Sequence, residues 1–566
     1  MKIFDSSTED RSGIRFHHTI GPVPIRKWLS SLPTHDADKA MQSLGHSLDE
    51  VNEADIDADT RLAVLDLYHG PIEAAVTAAR NNNVSLVLPL SERRHLTVDS
   101  IADLYWQMMH GYSIVAFDEQ LRSIANRTTR SYLAGACYWA LVYAGEQLRC
   151  LYQGYRPLPK GMWRHVHRLY DDAQTLNLLD DEIGSSALNA RGDSIGDAYK
   201  RTLLLGLCGP YQLPIHAIER VTASLKQWAR HAELTEILEA DRVECRFVIE
   251  HDSDQPGMPQ LPRANLMSRG HCLILDTTRL VVLLHENLKT AMEQKPDDYS
   301  GDPLKVSISD DVDLLRALIT QWGIHPIRKT PRNRCQQRCS FVVGFRTVAA
   351  VLRQIEIQSS GADSNANVRH VLKGTFGYQQ HMSQTGDDTI HDVEAHNESA
   401  TGIHLALDSQ QNVQVRIGEL VVLRPDSNSQ ATTIGIVRWA TNDAYNNLNI
   451  GIYKLGSKPQ TIRIKSVSPN EQAVTGGYRD AMILPKSDLH PYAQTIVAEK
   501  GVYRPHGTMV IRIGGEKRFA RVTNLITSTR SADWFEFRYE IATINFDVPT
   551  SDRTDDAGAQ TATEIH

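Results

Sequence analysis

The sequence predicts a multidomain α+β protein with a mainly helical N-terminal half, a small β-barrel, and a second small β domain at the C terminus. Three observations carry this. From Asp59 to about Leu234, apolar residues recur at helical spacing. From Cys339 the period switches to two, with Phe341, Val343 and Phe345 alternating with smaller residues. Beyond Ile403, short apolar runs are separated by turn residues at the spacing of a small barrel. A chain of 566 residues allows two to four domains. They are read as a mainly α-helical domain at 1–305 with a strand-containing part at 240–295, and a connecting helix at 306–323. The barrel follows at 324–465, then the C-terminal β domain at 480–548 and a disordered tail at 549–566.

In the helical half, a helix is expected in the Asp36–Leu48 region. Arg61–Tyr68 and Ile72–Arg80 read as two short amphipathic segments broken at Gly70-Pro71. The clearest helix is Arg130–Leu151, where Leu133, Ala136, Cys137, Ala140, Leu141, Ala144 and Leu148 share one face. Trp163 to Leu176 and Ile195–Leu207 follow, and Pro214 opens a helix carrying Ile218, Val221, Leu225 and Trp228. Val243–Ile249 and His271–Asp276 read as strands and Thr277–Met292 as a helix. Ser309 is placed to cap the connecting helix, with Asp310, Asp311 and Asp313 in its first turn. In the β half, strands are expected at Ile403–Leu407, Leu420–Leu423, Thr433–Trp439 and Leu448–Tyr453, and loops at Gln358–Asn367 and Gln379–Asp388. Gly514-Gly515 is a hairpin signal between Thr508–Ile513 and Arg518–Ile526. In Trp534–Ile541, Phe535, Phe537, Tyr539 and Ile541 fall on one face.

Charge singles out one stretch. The chain has a formal net charge of −8, yet Leu314 to Ile355 contains no acidic residue and includes Arg316, Arg328, Lys329, Arg332, Arg334, Arg338, Arg346 and Arg353. This local reversal of sign points to an anionic ligand or partner. Further on, Asn397-Glu-Ser-Ala-Thr-Gly402 is a turn motif between two apolar runs. Ser399 there can hydrogen-bond locally, and Gly402 permits close backbone approach or positive φ.

Other classes of function find little support. The longest apolar runs, such as Leu280–Leu284, are too short to span a bilayer. The polar, acidic start is not a secretory signal. Seven scattered cysteines without a CxxC pair argue for a reducing cytoplasm and against a disulfide framework or zinc site. His391-Asp392 precedes a strand and lacks the further helical ligands that a metal-dependent phosphohydrolase needs. His165 and His167 are two apart on a helix, so they do not share a face and read as surface or packing residues. Gly514-Gly515 lacks the Lys-Ser/Thr and helix of a phosphate loop. No enzyme signature and no cofactor motif are present.

An RxxxR (Arg334, Arg338) at the entrance to a small barrel, followed by [D/N]xSxxG (Asn397, Ser399, Gly402) after the next strand, resembles the PilZ domain family. The run Ile434-Gly-Ile-Val-Arg-Trp439, followed by Ile450-Gly-Ile-Tyr453, is similar to the closing strands of such a domain. The resemblance covers about residues 324–464. It implies a six-stranded barrel that binds the bacterial messenger cyclic di-GMP. The ligand-binding residues would be Arg334, Arg338, Asn397, Ser399 and Gly402, with Arg332 as a further candidate and no metal or cofactor. Arginine suits both phosphate and the O6/N7 edge of guanine, because its planar fork pairs two acceptors at once. The separation between the motifs exceeds the family's usual spacing, and the excess is assigned to an insert at Gln358–Asp388. The expected function is a cytoplasmic bacterial receptor in which the ligand orders the mobile segment Arg328–Arg338. That ordering would relay binding to the helical half or to a protein partner docking there. Two alternatives stay open: a PilZ-fold scaffold that binds no nucleotide, and a barrel that binds nucleic acid. Against the second stand the negative net charge and the absence of an exposed aromatic platform.

Overall fold

The computed structural model describes residues 20–33, 35–81, 87–124, 126–181, 183, 193–236, 243–261, 272–293, 308–324, 331–360, 390–407, 413–426, 432–443, 445–467, 477–487 and 490–540. The chain divides into two compact units. One comprises residues 1–338, 393–418 and 437–453, the other residues 339–392, 419–436 and 454–566.

Among the described residues, the first unit opens with nine α-helices: α1 (Pro22–Leu29), α2 (Ala37–Glu53), α3 (Ala58–Asn81), α4 (Glu92–Ala116), α5 (Glu119–Ser123), α6 (Arg127–Gln153), α7 (Met162–Thr175), α8 (Ile195–Leu207) and α9 (Ile215–Trp228). Their starts are marked by side chains that accept otherwise unsatisfied backbone N–H groups: Asp36 for α2, Ser91 for α4, Asp118 for α5, Asn126 for α6 and Ser194 for α8. On α6 the small residues Ala136, Ala140 and Ala144 are fully buried, which lets α4 and α8 approach closely. Helix α3 corrects the expected break at Gly70-Pro71, because it runs through both residues. Pro71 costs one intrahelical hydrogen bond. Val64, Leu65, Tyr68, Ile72, Ala75 and Val76 nonetheless form one continuous buried face across it. His167 is fully buried, with Nδ1 at 2.7 Å from the Tyr199 hydroxyl and Nε2 at 2.8 Å from the Gln255 carbonyl, which is a packing role.

A four-stranded antiparallel sheet follows, built from β1 (Glu233–Thr235), β2 (Arg246–Glu250), β3 (Met258–Pro259) and β4 (Cys272–Asp276) in the order β1-β4-β2-β3. Helices α10 (Thr278–Glu293) and α11 (Ile308–Ile319) accompany it. Helix α11 is described from Ile308, which puts the backbone of Ser309 within it. It ends in a wide turn, Thr320–Ile324, that buries Trp322 completely. The Trp322 indole N–H donates to the Leu204 carbonyl at 3.1 Å, and the ring meets Trp228 edge-on. Lys295–Pro303, which the sequence reads as a linker, lies outside the described residues.

Two closed six-stranded barrels complete the chain. The middle one is formed by β5 (Asn333–Val343), β6 (His391–Glu398), β7 (Gly402–Leu407), β8 (Leu420–Pro425), β9 (Thr433–Asn442) and β10 (Leu448–Ser457), in the order β10-β7-β6-β5-β8-β9. The C-terminal one is formed by β11 (Gln460–Val467), β12 (Arg479–Leu484), β13 (Thr495–Glu499), β14 (Thr508–Ile513), β15 (Glu516–Ser528) and β16 (Ala532–Glu540), in the order β11-β12-β13-β16-β15-β14. The two orders are one and the same wiring. In each barrel the first strand lies between the second and fourth, the third between the second and sixth, and the fifth between the fourth and sixth. Ile462, Ile464, Ile483, Ile496, Ile511, Phe535 and Phe537 fill the second barrel. Its tight β14–β15 turn places Gly514 and Gly515 at positive φ, as a two-residue hairpin of this twist requires.

Between β5 and β6 the chain forms a helix, α12 (Phe345–Ser360), where strand continuation to Phe345 and a loop from Gln358 are expected from the sequence. Gly344, at φ 92°, turns the strand into the helix, and its N–H donates to the Leu420 carbonyl at 2.9 Å. Val348, Ala349, Val351 and Leu352 are buried. Helix α12 packs on β8 of the middle barrel and on β11 and β12 of the C-terminal one. Glu356 accepts from the backbone N–H and the hydroxyl of Thr461, and Arg353 pairs with Asp480. The rest of the expected insert, 361–388, lies outside the described residues.

Candidate ligand-binding site

Strand β5 presents the first motif. Its residues alternate: Arg334, Gln336 and Arg338 are exposed, while Cys335 and Gln337 are half-buried and Cys339 and Phe341 are buried. Period two therefore puts both arginines on one outward face, four residues apart. This corrects the picture of a mobile approach segment, because Arg334 and Arg338 stand on a paired strand. Arg332 is exposed just before it, and Arg328 lies outside the described residues. Among the described residues, neither Arg334 nor Arg338 makes a hydrogen bond or ion pair, whereas Arg346 and Arg353 on α12 face carboxylates. Two exposed cations on the same strand face, without counter-charges among the described residues, leave the outer side of β5 positive.

Strand β6, next to β5 in the barrel, carries the second motif into a hairpin. The Cys335 thiol donates to the Ala395 carbonyl at 3.6 Å, which brings the arginine strand alongside the residues leading to Asn397. The β6–β7 pairing skips at His396, with Ala395 opposite Leu405 and Asn397 opposite His404. Such a bulge re-aims the side chains that follow it. The Ser399 N–H then donates to the Gly402 carbonyl at 2.8 Å, closing a tight turn through Ala400 and Thr401. Gly402 has no positive φ, and a Cβ there would meet only ordinary contacts, so the local backbone does not itself demand glycine.

A polar chain runs from Asn397 across the barrel surface. Asn397 Nδ2 lies 2.9 Å from His404 Nδ1, and His404 Nε2 lies 2.9 Å from Asn449 Oδ1. The His404 ring tilts against Trp439, whose indole lies over Gly451, the residue opposite His404 on β10. Burial holds the His404 imidazole below its ordinary pKa, against the Asn449 hydrogen bond, which raises it. Nearby His396 and Arg332 lower it further. The effect of Arg332 places that arginine's charge close to this cluster. His391 is likewise lowered by burial, against the charge of Asp392, which raises it. Among the described residues, no group of three His, Cys, Asp or Glu side chains is placed to hold a metal ion.

The structure thus brings both motifs onto neighbouring strands of one barrel. His404, Asn449 and Trp439 are absent from the sequence-based site. One signal was available for His404: with Leu405 and Leu407 facing inward, alternation puts a polar residue on the outer face two positions after Gly402.

A six-stranded barrel with an arginine pair on its first strand and an NxSxxG hairpin between its second and third defines a PilZ-type domain. The family comparisons agree. Residues 348–460 match the family described as cyclic-di-GMP receptor FimW, middle PilZ domain, and residues 24–240 match the N-terminal domain of the same receptor. These matches support a PilZ-domain family of cyclic di-GMP receptors for the chain. The chain is 23% identical to the cyclic-di-GMP receptor FimW of Pseudomonas aeruginosa over 565 residues, covering 91% of this chain and 90% of the relative. The middle match begins inside α12, so it takes in the NxSxxG hairpin and not Arg334 or Arg338. No solved structure matches the chain.

Proposed function

We propose that this protein is a non-enzymatic receptor that binds cyclic di-GMP on the outer face of its middle barrel. The observation that carries this reading is the pair of exposed arginines on β5, without partners among the described residues, beside the Asn397–Gly402 hairpin. Arg334 and Arg338 grip phosphate or the guanine O6/N7 edge, and Arg332 adds charge. Asn397 reads the base, Ser399 holds the turn or bonds phosphate, and Gly402 leaves the backbone bare. The resemblance to a cyclic di-GMP receptor over 91% of the chain supports the same ligand.

The bound state is relayed to the helical half or to a protein partner docking there. Support comes from the way β9 is fixed to the helices. The Asn442 N–H donates to the Tyr155 carbonyl at 2.7 Å, its side-chain amide donates to the Gly154 carbonyl at 3.2 Å, and Arg156 bonds both Asp99 and Asn446. No described helix is long and apolar enough to cross a membrane, and the site of action is read as the cytoplasm.

Titration calorimetry with cyclic di-GMP tests the reading. Each good bidentate arginine contact is worth about 1–3 kcal/mol, so Arg334→Ala should weaken binding about ten- to a hundredfold. Equal binding by wild type and Arg334→Ala would falsify the assignment.

A further inference from the structure

We infer that His404 sets which end of the Asn397 amide faces the ligand, making guanine recognition on this barrel depend on a neutral imidazole. The inference rests on the reading of this site as one for cyclic di-GMP.

The argument begins with the two ends of the Asn397 side chain. Its Nδ2 is 2.9 Å from His404 Nδ1, and the other ring nitrogen is 2.9 Å from Asn449 Oδ1. One proton arrangement satisfies these atoms. The Asn397 amide N–H donates to an unprotonated Nδ1, and the Nε2–H donates to the Asn449 carbonyl. Asn397 Oδ1 is then the end left for a ligand, and it offers two lone pairs. The Watson–Crick edge of guanine presents two neighbouring donors, N1–H and the 2-amino group. The adenine edge presents one amino donor beside an N1 lone pair, which would oppose the carbonyl oxygen. The amide polarity shown therefore selects guanine.

A second proton on the imidazole reverses the polarity. With N–H on both ring nitrogens, Asn397 must turn its amide over to accept from Nδ1. Its NH2 group then meets the guanine donors, donor against donor. The surroundings oppose that protonation. His396 approaches from β6 at 5.7 Å between ring centroids, the Arg332 charge reaches the ring from the segment before β5, and the Trp439 ring lies at 5.4 Å from β9. Asn449, on β10, is uncharged, and its hydrogen bond favours the protonated ring. Burial, with His396 and Arg332, outweighs it and disfavours the second proton. The bulge at His396 and the glycine at 451 are what allow this geometry, the first by re-aiming Asn397 and the second by leaving room for the indole that flanks His404.

The test is titration calorimetry on the full chain with cyclic di-GMP and cyclic di-AMP, from pH 7.5 to 5, for wild type, Arg334→Ala, His404→Leu and His404→Gln. Wild-type affinity for cyclic di-GMP should fall severalfold as pH drops below the ordinary histidine range, and the guanine preference should narrow. His404→Leu should bind about tenfold more weakly at pH 7.5. Glutamine can accept the Asn397 N–H through its own carbonyl at every pH. His404→Gln should therefore keep most of the affinity and lose the pH dependence, which a merely structural role for His404 would not produce. A flat wild-type profile, or the wild-type profile persisting in His404→Gln, overturns the inference, the second outcome pointing to His396 instead. Absence of cyclic di-GMP binding by wild type at every pH overturns the receptor reading itself. Binding that needs Arg334 but ignores His404 overturns only the present inference.

Discussion

Two glycines on the middle barrel make opposite demands. A methyl group at Gly402 would lie 3.4 Å from the Ile452 carbonyl oxygen and 3.5 Å from the Ser399 hydroxyl, which is ordinary contact, on a backbone that is not left-handed. Gly402→Ala should leave the melting temperature almost unchanged and weaken cyclic di-GMP binding, with melts and calorimetry run on the same preparation. A melting loss with unchanged affinity would assign the glycine to the fold instead. At Gly451 a Cβ would overlap the Trp439 indole. Gly451→Ala should cost about 1–3 kcal/mol as the ring is forced aside, read as a lower urea midpoint. The sequence marks both glycines equally. Only the pairing of Gly451 with His404, set by strands more than 40 residues apart in the chain, tells them apart. The same non-local pairing hid Asn449 and Trp439. Arg334, Arg338, Asn397, Ser399 and Gly402 could be proposed from the sequence because their spacings are local and their chemistry is distinctive.

At the scale of elements, strands β11, β14 and β15 carry a row of like charges. Arg463 lies directly opposite Arg512, and Arg512 directly opposite Lys517. Asp480, beside Arg463, compensates one end only. Facing cations on adjacent strands destabilise a sheet, so Arg512→Thr should stabilise the protein by about 0.2–1 kcal/mol. The gain, read as a rise in melting temperature, should shrink in high salt. Asn442 is the reverse case. It is buried and its side-chain amide donates to the Gly154 carbonyl in the α6–α7 connection, so Asn442→Ala should cost about 1–3 kcal/mol by removing that donor. Of the elements missed in the sequence, β12 is instructive. Ala481, Met482, Ile483 and Leu484 are all buried, because one face of the strand lines the barrel and α12 packs on the strand. The alternation that betrays a half-buried strand is therefore erased. Helix α12 was masked for a related reason: Phe341, Val343 and Phe345 extend an alternating pattern across the glycine where the strand ends.

For the whole molecule, buried histidines set the response to acid. Burial lowers the pKa of His95, His165 and His167 below the ordinary value of 6.5, to about 4 for His165. A depressed histidine binds fewer protons folded than unfolded, so its contribution is complete above the unfolded pKa and fades as pH falls toward the folded one. Urea midpoints of the helical half should drop between pH 6.5 and 4, and an unchanged midpoint across that window would show these rings to be protonated without cost. The large divisions of the chain, helical half, barrel and C-terminal β region, were legible from period alone. What period could not reveal is that the two barrels share one wiring, since strand neighbours depend on closure rather than on any local run. For an experimenter, that repetition places a matched blank inside every molecule. The C-terminal barrel has the same number of strands and the same neighbours, but neither an RxxxR nor an NxSxxG lies between Gln460 and Glu540. If the proposed site on the middle barrel binds nucleotide, changes in the amide spectra of the C-terminal barrel would report what travels through the protein, read against direct contact in the same tube.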